Sequence, residues 1–183
     1  MWLFRSGTIS HLISQIIGVF LALALYRLLK PVNKDHAALM VVLALLGIPI
    51  SFLAEVNHLA ILRLLSGVDN GAFTSTQLHA QAMLFLEMLR SGVLVAQVFW
   101  GLWLLALGSL VFRSGFLPKL LGISALIGAA GYLIDSGAHL LASGVATISQ
   151  FTFIGELLLP LWLLIKGVNV ERWHSRVRSG GCQ

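Results

Sequence analysis

Histidine and acidic side chains lie inside apolar stretches of this chain, where charged groups are costly and often mark binding or catalytic sites. The candidate metal ligands are His11, His58 and His139, which come from three separate stretches. Imidazole is a typical ligand of zinc and similar ions, so a divalent metal such as zinc is one predicted cofactor. Glu55 precedes His58 by three residues, which is the acid–histidine spacing of metal sites in helical bundles.

Two acidic residues are candidate catalytic groups. Asp135 precedes His139 by four residues, so on a helix their side chains share one face and could meet each other or a common ion. Glu156 lies ten residues before Lys166, close to the middle of the bilayer. Pro160 lacks the N–H that would bond the carbonyl of residue 156, so a free carbonyl and a carboxyl coincide there. Glu156 is therefore a candidate proton carrier or general acid–base, or a plain hydrogen-bonding group between helices.

Further polar side chains are expected at the same end of these stretches, away from the Lys and Arg clusters. Their amide and carboxyl groups could bind a small ligand, or they could simply join neighbouring helices. This polar cluster consists of Gln15, Glu55, Asn57 and Gln150.

The composition requires a lipid environment. Hydrophobic residues make up 58% of the 183 residues and charged residues 10%, and the mean hydropathy is +0.93. A soluble domain of this length could not cover so much apolar surface. The single cysteine, Cys182, excludes an intrachain disulfide. The net charge of +5 is explained by loop Lys and Arg residues, so nucleic acid is not a predicted partner.

Five apolar stretches are each about long enough, at ~20 residues, to cross a bilayer as a helix. We predict an all-α polytopic transmembrane bundle, with residues 1–168 as one domain and residues 169–183 as a basic cytoplasmic tail. The predicted spans are Ile9–Leu29, Leu39–Ala60, Gly92–Phe112, Leu120–Leu141 and Ala146–Ile165.

The third helix is expected to extend beyond the membrane on the outer side. Thr74 and Gln77 have the spacing of a capping box, which places the helix start near Ser75. The first part of the helix should then project above the membrane, lie in the interface, or form a separate helix hinged near Gly92. The fourth helix carries small residues at a helix-packing spacing and is expected to be central.

Loop charges predict the orientation. Lys and Arg follow the first, third and fifth spans, so that side should be cytoplasmic. We therefore predict a multi-pass protein of the bacterial inner (plasma) membrane, with its N-terminus outside and its C-terminus in the cytoplasm. The C-terminal tail should either rest on anionic lipid or be solvated.

Five segments resemble the bacterial membrane family called domain of unknown function 4386. Members usually carry one more helix before the one that begins here near Ile9, so the resemblance implies a shortened member and leaves open whether that helix is supplied in trans. It implies a fold and no reaction. The segments are Leu21–Asn33, Ala96–Leu104, Ser114–Pro118, Gly131–Ser136 and Ile154–Val168.

Three functional classes remain. The first is a structural or small-ligand or partner-binding membrane module built on the polar cluster. The second is an intramembrane metal-assisted hydrolase of a lipid-like substrate, in which Asp135 or Glu156 would activate a metal-bound water. The third is a small proton-coupled transporter that uses Glu156. Whether the chain is an enzyme stays open at this point. The expected partners are the lipid bilayer and a lipid-like ligand, and a homo-oligomer is left open.

Overall fold

The computed structural model describes residues 2–66, 73–141, 148 and 154–180. Every regular element within these ranges is a helix, which confirms the all-α prediction. In chain order the helices are α1 (Trp2–Leu29), α2 (Lys34–Leu65), α3 (Ser75–Ser114), α4 (Lys119–Leu141), α5 (Ile154–Ile165) and α6 (Val170–Gly180).

Four of these helices, α1 to α4, are long and apolar enough to cross a membrane. The fifth predicted span begins outside the described residues. The 12 described residues of α5 reach only about 18 Å at ~1.5 Å per residue, less than the ~30 Å of a hydrocarbon core. A membrane-spanning helical protein is therefore supported, and the fifth crossing stays a prediction.

Helix α3 is one unbroken helix of 40 residues, so the chain has no hinge at Gly92. The predicted capping box is present: the Thr74 hydroxyl accepts from the backbone N–H of Gln77, and the Gln77 side chain accepts from the Thr74 N–H. At the other end Gly115 has a φ of 76°, a left-handed conformation that glycine adopts without strain and that commonly ends helices. The predicted start near Ser75 is confirmed.

Helix α3, and not α4 as the sequence suggested, lies at the centre of the bundle. It packs extensively along both α2 and α4, whereas α1 contacts mainly α2, and α5 contacts α4. Glycines of α3 make these close approaches possible. A Cβ on Gly92 would lie 2.7 Å from the Cβ of Ala54, and one on Gly108 would lie 2.9 Å from the carbonyl oxygen of Gly122.

Two ends of the bundle differ in composition. We call the end that holds the starts of α2 and α4 the basic end and the opposite end the distal end. The buried apolar core lies toward the basic end, where α1 contributes Leu25 and Leu29 and α2 contributes Ala37 and Met40. In the distal half of α1 the one buried side chain among the described residues is that of Thr8.

The C-terminal tail contains a helix that is docked on the basic end, a contact that the sequence did not predict. The Trp173 indole Nε1 donates to the carbonyl oxygen of Leu28 at 3.1 Å. The guanidinium of Arg172 donates to the carbonyl of Gly115 (3.3 Å) and that of Arg176 to the carbonyl of Arg113 (3.1 Å). Carbonyls at a helix end lack intrahelical donors, so the arginines of α6 satisfy the end of α3.

We expect Gly122→Ala to destabilise the protein and Gly137→Ala, on the same helix, to leave it nearly unchanged. A Cβ on Gly122 would lie 2.7 Å from the backbone nitrogen of Phe112, whereas one on Gly137 has nothing within 4 Å. Forcing α3 and α4 apart should cost about 1–3 kcal/mol, several degrees in melting temperature for a chain of this size. Thermal unfolding of the purified protein in detergent tests this, and equal melting temperatures would contradict the close helix contact.

Candidate functional site

Polar side chains line the distal half of the contact between α1 and α2. The contacts pair Thr8 with His58, His11 with Glu55, and Gln15 with Ser51. The residue number rises along α1 as it falls along α2, as expected for antiparallel helices. Because lipid supplies no hydrogen-bond partners, these groups must satisfy one another. We call this set the polar interface: Thr8, His11 and Gln15 of α1 with Ser51, Glu55 and His58 of α2.

The carboxylate of Glu55 lies between two imidazole rings. Its Oε1 is 2.7 Å from Nδ1 of His58, and its Oε2 is 3.4 Å from Nδ1 of His11. Glu55 is 7% exposed, so solvent or lipid headgroups reach it little. An ionised carboxylate only accepts hydrogen bonds, so we assign the ring proton of both histidines to Nδ1.

The amide of Gln15 supports this assignment for His11. Its Nε2 lies 3.4 Å from Nε2 of His11 and donates to the Ser51 hydroxyl at 3.2 Å. An amide nitrogen only donates, so Nε2 of His11 is the acceptor and Nδ1 carries the proton. The Nδ1 of His11 makes no well-aligned hydrogen bond among the described residues, so its contact with Glu55 is electrostatic in character.

The polar interface does not form a nucleophilic triad. The Thr8 hydroxyl lies 3.3 Å from Nδ1 of His58, the same nitrogen that contacts Glu55. A hydroxyl–histidine–acid triad needs the hydroxyl on one ring nitrogen and the acid on the other, because the ring must receive one proton while donating another. As arranged, Thr8 is a hydrogen-bonding neighbour of the ring and is not activated by it.

The three predicted metal ligands are not brought together. His11 and His58 contact the same carboxylate, but Nδ1 of His139 lies 3.0 Å from the backbone carbonyl of Asp135. Helix α4 packs on α3 and α5, whereas α1 packs mainly on α2. Within the described ranges no three His, Cys, Asp or Glu residues form a group that could hold a metal ion.

Asp135 has a different environment from the one its spacing suggested. Its carboxylate accepts a hydrogen bond from the backbone N–H of Ile148 at 2.8 Å, and the residue is 1% exposed. The His139 ring is bonded to the backbone of Asp135 instead of its carboxylate. Asp135 thus holds the backbone of Ile148 beside α4.

Glu156 forms a separate pair deeper in the bundle. Its Oε2 accepts from the Tyr132 hydroxyl at 3.0 Å, which joins α5 to α4. The Tyr132 ring in turn packs edge-on against Trp100 of α3, with ring centroids 6.4 Å apart. The carboxyl group therefore forms a hydrogen bond between helices, which is one of the two roles that the sequence suggested for Glu156.

The remaining members of the predicted cluster divide as follows. Asn57 donates to the carbonyl of Ala54 in its own helix at 3.2 Å and does not join the polar interface. Gln150 lies outside the described residues. Sequence reasoning missed Thr8, Ser51 and Tyr132 as partners. Thr8 precedes His11 by three residues and Ser51 precedes Glu55 by four, so helix periodicity could have placed each beside its acidic or imidazole neighbour.

A cavity of about 360 Å³ opens beside the polar interface, at the distal end of α1 and α2. Its lining combines one isoleucine and two leucines with two hydroxyl groups and one guanidinium. Thr8 belongs to both the cavity and the polar interface. We call it the distal cavity, lined by Thr8, Ile9, Leu59, Leu62, Arg63 and Ser66.

We expect Glu55→Gln to lower the melting temperature and Glu156→Gln to leave it close to that of the wild type. The amide introduced by Glu55→Gln would turn an NH₂ group toward one imidazole N–H, a mismatch worth about 1–3 kcal/mol. By contrast, Tyr132 can donate equally well to an amide oxygen at position 156. Thermal unfolding in detergent checks both variants, and an unchanged Glu55→Gln protein would show that its two imidazole contacts add no stability.

Comparison with known proteins identifies a family and one similar protein. Residues 1–167 match the family model described as Domain of unknown function (DUF4386). An uncharacterized protein from Archaeoglobus fulgidus is 35% identical over 166 residues, which cover 85% of each chain. No solved structure matches the chain. The matched region contains all four described helices that are long and apolar enough to span a membrane, and the protein belongs to the DUF4386 family.

Proposed function

We propose that this protein is a membrane-embedded binding module for a lipid-like amphiphile with an acidic headgroup, which binds in the distal cavity. The carrying observation is the cavity itself, since about 360 Å³ falls within the usual size of small-ligand pockets. Such pockets combine apolar walls with a few polar groups that orient the ligand.

The chemistry of the lining selects the ligand class. Ile9, Leu59 and Leu62 offer an apolar wall for the first part of an acyl chain. Arg63 supplies the one cationic side chain of the lining, and among the described residues it has no ion-pair partner. A guanidinium at the rim favours a phosphate or carboxylate headgroup, which it can bind through two parallel hydrogen bonds.

The polar interface gives this cavity a movable wall. Between Thr8 and Ala22 the described part of α1 buries no apolar side chain, so its distal half is held to α2 chiefly by polar contacts. Contacts of this kind between membrane helices are individually weak. Separation of the two helices at Glu55 would widen the cavity toward the bilayer and admit a ligand from its outer leaflet.

The hydrolase and the carrier receive less support. For the hydrolase, His11, His58 and His139 would have to meet, and the described residues contain no such group. For the carrier, Glu156 would need a polar route to the polar interface, but it is paired with Tyr132 on the α4–α5 side of the bundle. Binding therefore accounts for the geometry with fewer additional elements than catalysis or transport.

We further propose the membrane placement. The chain crosses the plasma membrane five times, the distal end faces outward, and the C-terminus lies in the cytoplasm. Support comes from the basic residues at the starts of α2 and α4 and along α6, which favour a cytoplasmic position. Residues 1–168 would form the membrane domain, and residues 169–183 a tail whose helix packs on it.

We expect a diazirine-bearing dodecyl phosphate to label the distal cavity of the protein in phosphatidylcholine nanodiscs. Leu62→Trp should abolish the labelling by filling the cavity, and Arg63→Gln should weaken it roughly tenfold by removing a charge-assisted hydrogen bond. Mass spectrometry of the cross-linked peptides locates and quantifies the label.

Two matched variants serve as controls. Leu46→Trp adds the same ring on an exposed face of α2, and Arg90→Gln removes a distal arginine that pairs with Glu87 at 3.0 Å. Both should label like the wild type. Labelling that persists in Leu62→Trp, or that maps to peptides away from α1 and α2, would refute the proposed binding site.

The orientation has its own test, because Cys182 is the only thiol in the chain. A membrane-impermeant maleimide should label Cys182 only after the cells are permeabilised. In a Cys182→Ser background, Thr76→Cys at the start of α3 should react in intact cells. The reverse pattern would place the distal end in the cytoplasm.

A further inference from the structure

A second cavity, of about 430 Å³, lies at the basic end, between the connection from α3 to α4 and the connection from α5 to α6. Both connections turn at a glycine with positive φ, Gly115 at 76° and Gly167 at 66°. This conformation suits glycine and disfavours other residues, so the two turns can be tight. We call this space the basic cavity.

Hydrogen bonds between the two connections hold the walls in place. The backbone N–H of Asn169 donates to the carbonyl of Phe116 at 3.3 Å. The Arg172 guanidinium donates to the carbonyl of Gly115, also at 3.3 Å. These hydrogen bonds hold the two connections in place relative to each other, which reduces the ordering that binding would otherwise require.

The lining of the basic cavity combines apolar and cationic side chains. Phe116, Leu117 and Trp162 supply the apolar surface. The ammonium of Lys166 lies 5.0 Å from the centre of the Trp162 ring, and Arg172 lines the same cavity. No carboxylate lies within ion-pair distance of either cation among the described residues, and no acidic side chain lines the cavity.

The position of the cavity matches the boundary of a membrane. Trp162 lies one turn before the end of α5, and Lys166 follows directly after that helix. Tryptophan and lysine at such a level are typical of the interface between acyl chains and headgroups. Arg176 of α6 lines a neighbouring cavity that shares Gly115 and Arg172 with this one, so it adds to the positive potential there.

We propose that the basic cavity binds the headgroup of an anionic phospholipid from the adjacent leaflet. The lipid phosphate would contact Lys166 and Arg172, and the first methylenes of the acyl chains would pack on Trp162. Basic pockets on this side of membrane proteins suit anionic headgroups. The apolar wall favours a lipid over a free phosphate ion. This site shares no residue with the distal cavity, so it stands independently of the function proposed above.

The test measures lipid binding to the full chain in non-ionic detergent by native mass spectrometry. Dihexanoyl phosphatidylglycerol is the anionic probe, and dihexanoyl phosphatidylcholine is the neutral comparison. We expect clear preference for phosphatidylglycerol, and a roughly tenfold or greater loss of its affinity in the Lys166→Gln, Arg172→Gln double variant.

Three further variants separate binding from folding. Arg178→Gln removes one charge from the same helix outside the cavity and should bind phosphatidylglycerol like the wild type. Because Arg172 also bonds the Gly115 carbonyl, Lys166→Gln alone and the charge-conserving Arg172→Lys are measured beside the double variant. The first should weaken binding, and the second should retain most of it, at melting temperatures near that of the wild type.

Several outcomes would overturn the proposal. Equal binding of both lipids, or unchanged affinity in the double variant, would exclude a headgroup site. Displacement of phosphatidylglycerol by an equal concentration of inorganic phosphate would indicate a site for the free anion instead. Leu62→Trp changes only the distal cavity and should bind phosphatidylglycerol like the wild type. A failure of the distal cavity proposal would therefore not affect the result for the basic cavity.

Discussion

The close contact of helix backbones around α3 is the constraint on which the rest of this structure depends. Lipid chains are as apolar as leucine, so burial from water does not drive membrane helices together, and packing must come from close approach and polar contacts. Gly92 and Gly108 let α3 approach α2 and α4, and Gly155 lets α5 approach Ser124. These contacts fix the frame on which every polar group of the bundle is positioned. The buried residues of α3 all lie between Ala96 and Ser114, so this half of the helix is the part held between its neighbours.

Helix α1 is joined to this frame in a different manner at its two ends. Toward the basic end, Leu25 and Leu29 are buried in the apolar core. Toward the distal end the contact is made by polar groups around Glu55. Under the proposed function, α1 would separate from α2 at the polar end while its packing at the basic end is kept. This asymmetry connects the polar interface with the distal cavity, because the same stretch of α1 forms one wall of both.

The sequence predicted much of the frame and part of the site. The capping residues Thr74 and Gln77 placed the start of α3 correctly, since a cap is a local interaction of four residues. The spacing of Glu55 and His58 also predicted a real contact, because residues three apart share a helix face. The same rule misled at Asp135 and His139: a shared face permitted a contact, but the histidine bonds the backbone while the carboxylate bonds Ile148. Periodicity specifies which groups are neighbours, and it does not specify which atoms bond.

Composition and hydropathy by themselves determined that this is a helical membrane protein, because ~20-residue apolar stretches must satisfy their own backbone hydrogen bonds within lipid. Local chemistry determined where helices begin and end. Only the tertiary structure decided which helices are neighbours, and therefore that His11 meets Glu55 whereas His139 does not meet His11. It also decided that α6 closes the basic end through Trp173. Contacts between distant segments depend on the shape of facing surfaces, which no short stretch of sequence contains.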